Sequence, residues 1–325
     1  MNFPELHNQW ISFSTIVSLF GLLALYGSAF VPNALQRVFR YGKTANDENQ
    51  PNKPNLISIP KKSAKHHLCP LLTPVSIHRW FFHFYVFATL FYAALLVIVL
   101  RVYLFRQSVP KLLALTLDTV VGRHRRSSVS PESVLVAMCL LQLQVSRRLY
   151  ECTQLSVYAR DGKMALIHYL CGFSFYFGVG LSLLAEASGF QSTNGSSRDL
   201  ILRNLCLPNH VIGVSLFLFF SFVQFKSHVI LAELRKDSKG RVVTYGHSIP
   251  NGHWFEYVSC PHYLAEILIY LCLSLVLSGR SSYWWLVCSF VVANQVVVGL
   301  FNHKWYLQHF HNYPKHRKAV FPFVL

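Results

Sequence analysis

The chain has 325 residues, of which 53% are hydrophobic and 13% charged, and its formal net charge is +17. So apolar a composition excludes an ordinary soluble domain and predicts an integral membrane protein. The positive charge is spread over several loops and shows no nucleic-acid-binding module. We therefore expect membrane lipids and an anionic ligand as partners, and no nucleic acid.

Seven apolar runs predict an all-α fold with about seven transmembrane helices. They cover residues 11–31, 81–105, 134–150, 165–187, 208–231, 263–279 and 283–301. No basic segment precedes the first run, which is therefore expected to be a retained span and not a signal peptide. With the N-terminus lumenal and the C-terminus cytosolic, 21 of the 30 Lys and Arg residues fall in cytosolic segments. The positive-inside rule favours this orientation.

Polar segments separate these runs. Residues 46–74, rich in Pro, Asn and Lys, predict a flexible cytosolic loop. Residues 107–131 predict an irregular lumenal loop, whose GRHRR sequence counts against the chosen orientation. Residues 232–262 are the predicted functional cytosolic loop, with a short strand at the sequence VVTY and with Pro261 in the first turn of the next helix.

The fifth apolar run carries polar side chains at helical spacing. Gln224, His228 and Arg235 lie within about 40° of one another on a helix. Because such groups are costly at bilayer depth, they favour a polar cavity that is reached from the cytosol. The alternative is a hydrogen-bonded seam between helices, with Arg235 extending to lipid headgroups.

The next helix begins with an ionisable pair. His262 and Glu266 are one turn apart just after Pro261, so both can point at one ligand near a helix N-terminus. An acidic residue in an otherwise apolar helix needs a hydrogen-bond donor. That donor is either a neighbouring part of the chain or an amide-bearing ligand, and we favour the ligand.

The last helix carries a third polar stripe. Gln295, Gly299, Asn302 and Tyr306 lie within about 60° of one another, with His303 at the edge. Gly299 lacks a side chain and would let a flat ring approach the backbone. The sequence therefore predicts that this face of the helix contacts a bulky ligand.

The tail adds a basic cluster, Lys315, His316, Arg317 and Lys318, of a kind that binds phosphate. On composition alone, a patch that binds anionic lipid is the more common interpretation. The spacing of the tail histidines lacks the patterns of membrane di-iron enzymes, and we expect no metal. There is no GxGxxG or Walker sequence, so any nucleotide is expected to lie against helix faces and loops.

Two long segments resemble a known family. Residues 234–270 and 303–325 are similar to the C-terminal domain of the steroid 5α-reductase family, and RYGKT at 40–44 and SRRLYEC at 146–152 resemble its polyprenol (polyprenal) reductase branch. The resemblance implies a seven-helix reductase of the endoplasmic reticulum membrane that takes hydride from NADPH on the cytosolic side. It divides the chain into a substrate-side part, 1–219, and a cofactor-side part, 220–325.

The resemblance also implies site residues. Arg235, Glu266, Tyr306 and Arg317 match positions associated with cofactor binding in the steroid enzymes, whereas His262 replaces their usual Asn. The residues expected to bind NADPH are Arg160, Lys163, His228, Arg235, His247, His262, Glu266, Asn302, His303, Tyr306, Tyr313, Lys315 and Arg317.

The steroid enzymes hold the ketone of their substrate with a Glu and a Tyr that have no convincing counterpart here, which fits a different substrate. An isolated allylic alcohol is a poor hydride acceptor, whereas an enal accepts hydride at its β-carbon and yields a stabilised enolate. The expected direct substrate is therefore polyprenal, reduced to dolichal on the way to dolichol, the lipid used in protein N-glycosylation. The candidates for the acid that polarises the aldehyde oxygen are Tyr85, His83, His303 and Tyr306.

Three other functions remain open on the sequence alone. A steroid 5α-reductase is possible within the same family. A membrane methyltransferase for prenylated cysteine shares the basic tail and would bind S-adenosylmethionine. A seven-helix receptor or transporter would tolerate Glu266→Gln and show no NADPH turnover.

Overall fold

The computed structural model describes residues 6–26, 74–76, 81–158, 163–191 and 199–325. Residues 20–26, 74–76, 81 and 163–165 are described by their backbone alone. The predicted loop 46–74 up to its last residue, the RYGKT motif and Arg160 lie outside the described residues, as does the side chain of Lys163.

The described chain is predominantly helical. Its α-helices are α1 Leu6–Tyr26, α2 Phe81–Leu104, α3 Lys111–Val120, α4 Pro131–Tyr150, α5 Leu166–Ala185, α6 Pro208–Glu233, α7 Pro261–Val276 and α8 Ser282–His309. Shorter elements are a π-helical turn, Glu151–Leu155, and 3₁₀ turns at Leu202–Cys206 and His253–Glu256. Two short strands, β1 Pro74–Ser76 and β2 Lys163–Ala165, pair antiparallel with Val75 opposite Met164.

Local sequence explains where several helices begin. Ser130 caps α4 by accepting a hydrogen bond from Ser133 N, and Ser281 caps α8 in the same way from Trp284 N. Proline occupies the first turn of α4, α6 and α7, where its missing N–H has no intrahelical partner to lose. The predicted position of Pro261 is thereby confirmed.

Each of the seven predicted apolar runs falls on a helix. Four described helices are long and apolar enough to cross a membrane, namely Phe82–Leu104, Leu166–Ala185, Pro208–Glu233 and Ser282–His309. Helix α7 is apolar but has only 16 residues. The chain is thus a largely helical protein of membrane-spanning composition.

The helices pack pairwise around one buried core. Helix α6 lies along α7, α1 along α8 and α2 along α4. A side chain at Gly213 of α6 would come within 2.6 Å of Val276 Cγ2 on α7, so this glycine permits the close approach of the two helices. Trp10 of α1 donates its indole N–H to Ser182 Oγ of α5 at 2.9 Å, which fixes the first helix against the core.

The prediction of an irregular loop at 107–131 was wrong, because the segment contains α3. Leu113 and Leu117 of this helix are buried, whereas Leu112 and Leu115 are exposed. The nearby Arg125 is also buried, and it donates to Asp118 Oδ1 at 2.8 Å and to two backbone carbonyl oxygens. This arginine of the GRHRR sequence therefore anchors the α3 region and is not a free loop charge.

The loop between α6 and α7 also differs from its prediction. The VVTY segment forms no strand in the structure and contributes one isolated bridge, between Lys236 and Val242. Arg235 was expected on the polar face of the helix, but α6 ends at Glu233. The helical spacing that grouped Arg235 with Gln224 and His228 does not extend that far.

Candidate active site

A cavity of about 440 Å³ lies between α2, α4, α5, α6, α7 and α8. Its described apolar and aromatic lining includes Phe84, Phe175, Tyr176, Phe290 and Val291. Its described polar lining, which we call the polar wall, includes Tyr85, Arg148, His168, Gln224, His228, His262, Tyr263, Glu266, Asn294 and Gln295. A mixed wall of this kind is typical of a small-molecule site.

Behind the polar wall lies a fully buried carboxylate. Glu151 is 0% exposed and forms ion pairs with Arg147 and Arg148, which precede it by one helical turn. His228 of α6 places Nδ1 2.7 Å from Glu151 Oε2 and 2.6 Å from Arg148 Nη1. An unpaired buried charge is strongly destabilising. The two arginines and the glutamate therefore stabilise one another, and the loss of one leaves the others without their charge partner.

The carboxylate of Glu266 receives hydrogen bonds from within the chain. Gln224 donates through Nε2 to Glu266 Oε2, and Gln144 donates through Nε2 to the same oxygen at 3.2 Å. Gln144 also donates to Gln224 Oε1 at 3.0 Å, and Arg147 donates to the side-chain oxygens of both glutamines. The sequence predicted that the donor to Glu266 is either another part of the chain or a ligand. In the structure, neighbouring helices supply donors to this carboxylate.

Tyr85 is the acid candidate that lies at the cavity. Its phenol oxygen accepts hydrogen bonds from Arg148 Nη2 at 3.1 Å and from Arg148 Nε at 3.3 Å. The phenol also lies within hydrogen-bonding reach of the Tyr176 hydroxyl, and it has one hydrogen of its own that it can donate to an acceptor. The O–H group of Tyr85 is thus a hydrogen-bond donor next to the positive charge of Arg148. A phenol in this setting can polarise a carbonyl group.

The other three acid candidates are placed elsewhere. The described lining residues include Tyr85 but not His83, His303 or Tyr306. His83 Nδ1 lies 3.2 Å from Tyr169 OH, at the start of α2. His303 and Tyr306 belong to a second group of side chains near the end of α8.

This second group, which we call the tail cluster, consists of Ser259, His303, Trp305, Tyr306, Tyr313 and Arg317. Ser259 Oγ lies 2.6 Å from both His303 Nδ1 and Tyr313 OH. The rings of Tyr306 and Tyr313 stack with their centroids 5.1 Å apart. Burial raises the pKa of the Tyr313 phenol above its ordinary value, so the tail cluster holds Tyr313 as a neutral hydrogen-bonding group.

Arg317 anchors the loop between α6 and α7. Its guanidinium is 2% exposed and donates to Pro250 O at 2.7 Å and to Asn251 Oδ1 at 3.0 Å. Glu256 Oε2 lies 3.5 Å away, and the Tyr313 ring lies beneath the guanidinium. Arg317 Nε is buried without a partner among the described residues. The protein therefore already holds the Arg317 side chain, and its Nε–H is the donor that is left for a ligand.

The remaining cofactor candidates surround this loop. Arg235 donates to Gly246 O at 3.1 Å and to Val157 O, which ties the loop to the end of α4. The His247 ring lies edge-on to Trp305 at 5.1 Å, and Lys315 is exposed. These residues lie together near the tail cluster, and their binding role stays a prediction.

Helix α8 contributes residues both to the cavity and to the contact with the C-terminal tail. Gln295 lines the cavity, whereas Asn302 donates to Val298 O of its own helix at 2.9 Å. The space next to Gly299 is taken by the tail, because an added Cβ would lie 2.2 Å from Val320 Cγ2. The expectation that a flat ligand ring approaches Gly299 was wrong, since the protein fills that position itself.

Sequence reasoning missed four residues, of which Arg148 lines the cavity and the other three pair with lining side chains or with Arg148's partners. Gln144, Arg147, Arg148 and Glu151 were not among the candidates, although RRLYE was seen as a distinctive segment. Two arginines followed by a glutamate at i+3 and i+4 resemble an ordinary surface ion pair on a helix. Their burial depends on α6 and α7 packing over them, which helical spacing does not report.

The comparisons with known proteins agree with this architecture. Residues 165–325 match the family described as 3-oxo-5-alpha-steroid 4-dehydrogenase. The chain is 36% identical over 299 residues to the polyprenal reductase of Xenopus tropicalis, covering 92% of this chain and 90% of that protein. It is 36% identical to the Danio rerio polyprenal reductase over 94% of this chain and 96% of that protein. For the Homo sapiens polyprenal reductase the identity is 30%, over 97% and 94%.

These relatives are similar to the chain along nearly its whole length, including both the cavity and the tail cluster. Such coverage favours a reductase over the prenylcysteine methyltransferase and the receptor or transporter. The chain belongs to the steroid 5α-reductase family and, within it, to the polyprenal reductase branch.

Proposed function

We propose that this protein reduces the α-isoprene double bond of polyprenal with hydride from NADPH, giving dolichal on the way from polyprenol to dolichol. The family makes the chain an oxidoreductase that acts on a carbon–carbon double bond. The observation that carries the proposal is Tyr85, whose phenol is held by Arg148 at a cavity lined by both polar and aromatic side chains. This cavity offers an aldehyde one strong donor and an apolar surface for the adjoining isoprene.

The residues present fit a nicotinamide dinucleotide. Glu266 lines the cavity and offers a carboxylate acceptor to a carboxamide group, while Gln224, whose amide donates to Glu266 and to His262 O, holds that carboxylate in place. The buried Nε of Arg317 has no partner among the described residues, and Lys315 and His316 are exposed beside it in the sequence. A basic group of this kind suits phosphate. We propose that NADPH is held between the cavity and the tail cluster, by the residues predicted from the sequence together with Gln224.

When bound, NADPH supplies the hydride. The protein's own part is to polarise the acceptor: Tyr85 donates its O–H to the aldehyde oxygen, which draws electron density from the β-carbon. Arg148 keeps the phenol in place and stabilises negative charge that develops on the oxygen. The enolate then takes one proton at its α-carbon, which completes the saturated aldehyde. The aromatic side chains around the cavity limit access of water to the developing enolate.

The setting of this chemistry is also a proposal. A long polyisoprenoid is membrane-soluble, so the substrate is expected to reach the cavity from the bilayer, with lipids as the other partners. We propose an endoplasmic reticulum location with seven spans, a lumenal N-terminus and a cytosolic C-terminus. Residues 1–219 would then form most of the substrate side, and 220–325 the cofactor side.

Paired assays on the purified protein test the function. With NADPH, polyprenal is expected to be consumed with formation of dolichal, while polyprenol and a 3-keto-4-ene steroid react much more slowly. Equal rates for polyprenol and polyprenal, without an aldehyde intermediate, would contradict the enal substrate. Faster reduction of the steroid would support the steroid 5α-reductase alternative, to which the matching family model gives its name.

A binding measurement separates the enzyme classes. The detergent-solubilised protein is expected to bind NADPH and not S-adenosylmethionine. Binding of S-adenosylmethionine alone would contradict the reductase assignment.

A further inference from the structure

Tyr85 is connected to a buried carboxylate that does not touch the cavity. Tyr85 OH accepts from Arg148 Nη2 and Nε, and Arg148 Nη1 pairs with Glu151 Oε2. His228 Nδ1 lies 2.7 Å from the same oxygen of Glu151. Glu151 itself is 0% exposed and is not among the described residues that line the cavity.

We propose that Glu151 is a positioning residue for polyprenal reduction. It holds the Arg148 guanidinium in the orientation that keeps the Tyr85 phenol directed at the substrate aldehyde. The inference rests on the proposed function, in which Tyr85 is the acid that polarises the aldehyde.

The geometry of the phenol supports this role. A tyrosine hydroxyl has two lone pairs and one hydrogen. Two N–H groups of one guanidinium point at the oxygen of Tyr85, at 3.1 and 3.3 Å. Arg148 occupies the acceptor side of the oxygen and the Tyr176 hydroxyl is also in reach, so the hydrogen of Tyr85 is the one donor that it can give to a cavity acceptor. A shift of the guanidinium would release the phenol from this orientation.

The guanidinium in turn depends on Glu151. Arginine has several rotatable bonds, and its fork is fixed only when a planar acceptor faces it. Glu151 provides that acceptor from the next helical turn, at i+3 from Arg148. His228 on α6 contacts the same carboxylate oxygen, Oε2. The carboxylate is therefore held from two helices, α4 with its π-helical extension and α6.

Glu151 also neutralises Arg147, and this offers a competing, purely structural role. Arg147 pairs with Glu151 but bonds to Gln144 and Gln224, on the side of Glu266. A structural role predicts that losing the Glu151 charge lowers stability whether or not Tyr85 has its hydroxyl. A positioning role predicts that the catalytic effect disappears once that hydroxyl is absent.

A double-mutant cycle on the full-length purified protein separates the two roles. The variants are Tyr85→Phe, Glu151→Gln and the double variant, each assayed for polyprenal reduction by mass spectrometry of the product. Since a general acid contributes about 10²- to 10⁴-fold, we expect Glu151→Gln to lower kcat about 10- to 100-fold. The Kd for NADPH is expected to change less than about twofold. Because Glu151 also contacts His228, a predicted cofactor residue, a larger change in Kd would place its effect on the cofactor side and overturn the positioning role.

In the Tyr85→Phe background, Glu151→Gln is expected to lower kcat by less than about threefold, since the hydroxyl on which it acts is gone. Glu132→Gln is the matched control. Glu132 is also buried on α4, but it accepts from Ile201 N at 2.7 Å. Its substitution is expected to leave kcat unchanged.

If Glu151→Gln does not fold, as judged by gel filtration and thermal unfolding, Glu151→Asp replaces it in the cycle. This variant keeps the charge and withdraws it by one methylene, so kcat is expected to fall while the protein stays folded.

The outcomes distinguish the two proposals. If Tyr85→Phe retains wild-type kcat, Tyr85 is not the acid and the proposed mechanism is wrong. If Tyr85→Phe is impaired but the Glu151 substitution has no effect on kcat, or lowers it by the same factor in both backgrounds, the inference on Glu151 fails alone.

Discussion

At the scale of single residues, the polar groups of this chain are paired with one another across helices. Glu266 receives amide donors from Gln144 and Gln224, and Glu151 receives Arg147 and Arg148. A buried charge without such partners would be strongly destabilising. The substitution of one member therefore affects its partners as well, and each residue-scale test needs a control that leaves the unit intact.

Glu266→Gln is expected to lower kcat/KM for NADPH about 10- to 100-fold, the loss of roughly 1.5–3 kcal/mol for a hydrogen bond to a charged group. The carboxylate becomes an amide, which removes the charged acceptor that we assign to the carboxamide of the cofactor. Steady-state kinetics with varied NADPH checks the prediction. Glu233→Gln, at the exposed end of α6, is the control. Unchanged kcat/KM would remove Glu266 from the cofactor site.

Arg317→Ala is expected to destabilise the protein by about 2–4 kcal/mol, because Pro250 O and Asn251 lose a buried donor. The thermal unfolding midpoint of the solubilised protein measures the effect. The exposed Lys315→Ala is the control and is expected to leave the midpoint unchanged. An unaltered midpoint for Arg317→Ala with weaker NADPH binding would show that Arg317 acts only on the cofactor.

At the scale of elements, the contacts of the C-terminal tail show how it joins the helices, which the helix patterns did not predict. The tail pairs with the segment before α7, where Ser259 N donates to Lys318 O at 2.7 Å and Cys260 N to Ala319 O at 3.1 Å. Val320 then packs against Gly299 of α8. The C-terminal residues are thus a structural part of the helical body, next to the predicted cofactor residues.

Gly299→Ala is expected to destabilise the protein by about 1–3 kcal/mol, since its new methyl group would lie 2.2 Å from Val320 Cγ2. Val320→Ala removes the clashing methyl groups and is expected to recover much of the stability in the double variant. Thermal unfolding of the two single variants and the double variant measures this. Additive destabilisation in the double variant would show that the two residues do not meet.

At the scale of the whole molecule, orientation in the membrane follows from charge. The GRHRR sequence counts against a lumenal position for residues 107–131, but its Arg125 is buried and hydrogen-bonded to Asp118. The proposed orientation, with the tail in the cytosol, rests on the count of basic residues in the predicted loops.

An epitope tag after Leu325 is expected to be digested by protease in sealed microsomes, because the tail is placed on the cytosolic side. A tag before Met1 is expected to be protected until detergent opens the vesicles. Immunoblotting of both tags, with a lumenal protein as the integrity control, checks the orientation. Protection of the C-terminal tag would reverse it and would place the tail cluster away from cytosolic NADPH.

The sequence predicted the helices and part of the cavity. Hydropathy placed seven apolar runs on helices, and helical spacing placed Gln224 and His228 on the cavity side. The same spacing failed at Arg235, because α6 ends two residues earlier. Helix α3 was not predicted either, and its short apolar stripe precedes the basic GRHRR sequence. Local patterns are informative within one helix and lose meaning where the helix ends.

What the sequence by itself determined is the class of protein, the positions of its apolar helices and, through family resemblance, the branch to which it belongs. Only the tertiary structure decided which polar groups meet. Gln144 reaches Glu266 across 122 residues, and Tyr85 reaches Arg148 across 63. Hydropathy and period describe one segment at a time, whereas these contacts depend on how separate helices pack. For that reason the polar residues of the last three helices pointed to a cavity, whereas the tertiary structure showed that Tyr85 of α2, the proposed acid, lies at it and is held by Arg148 of α4.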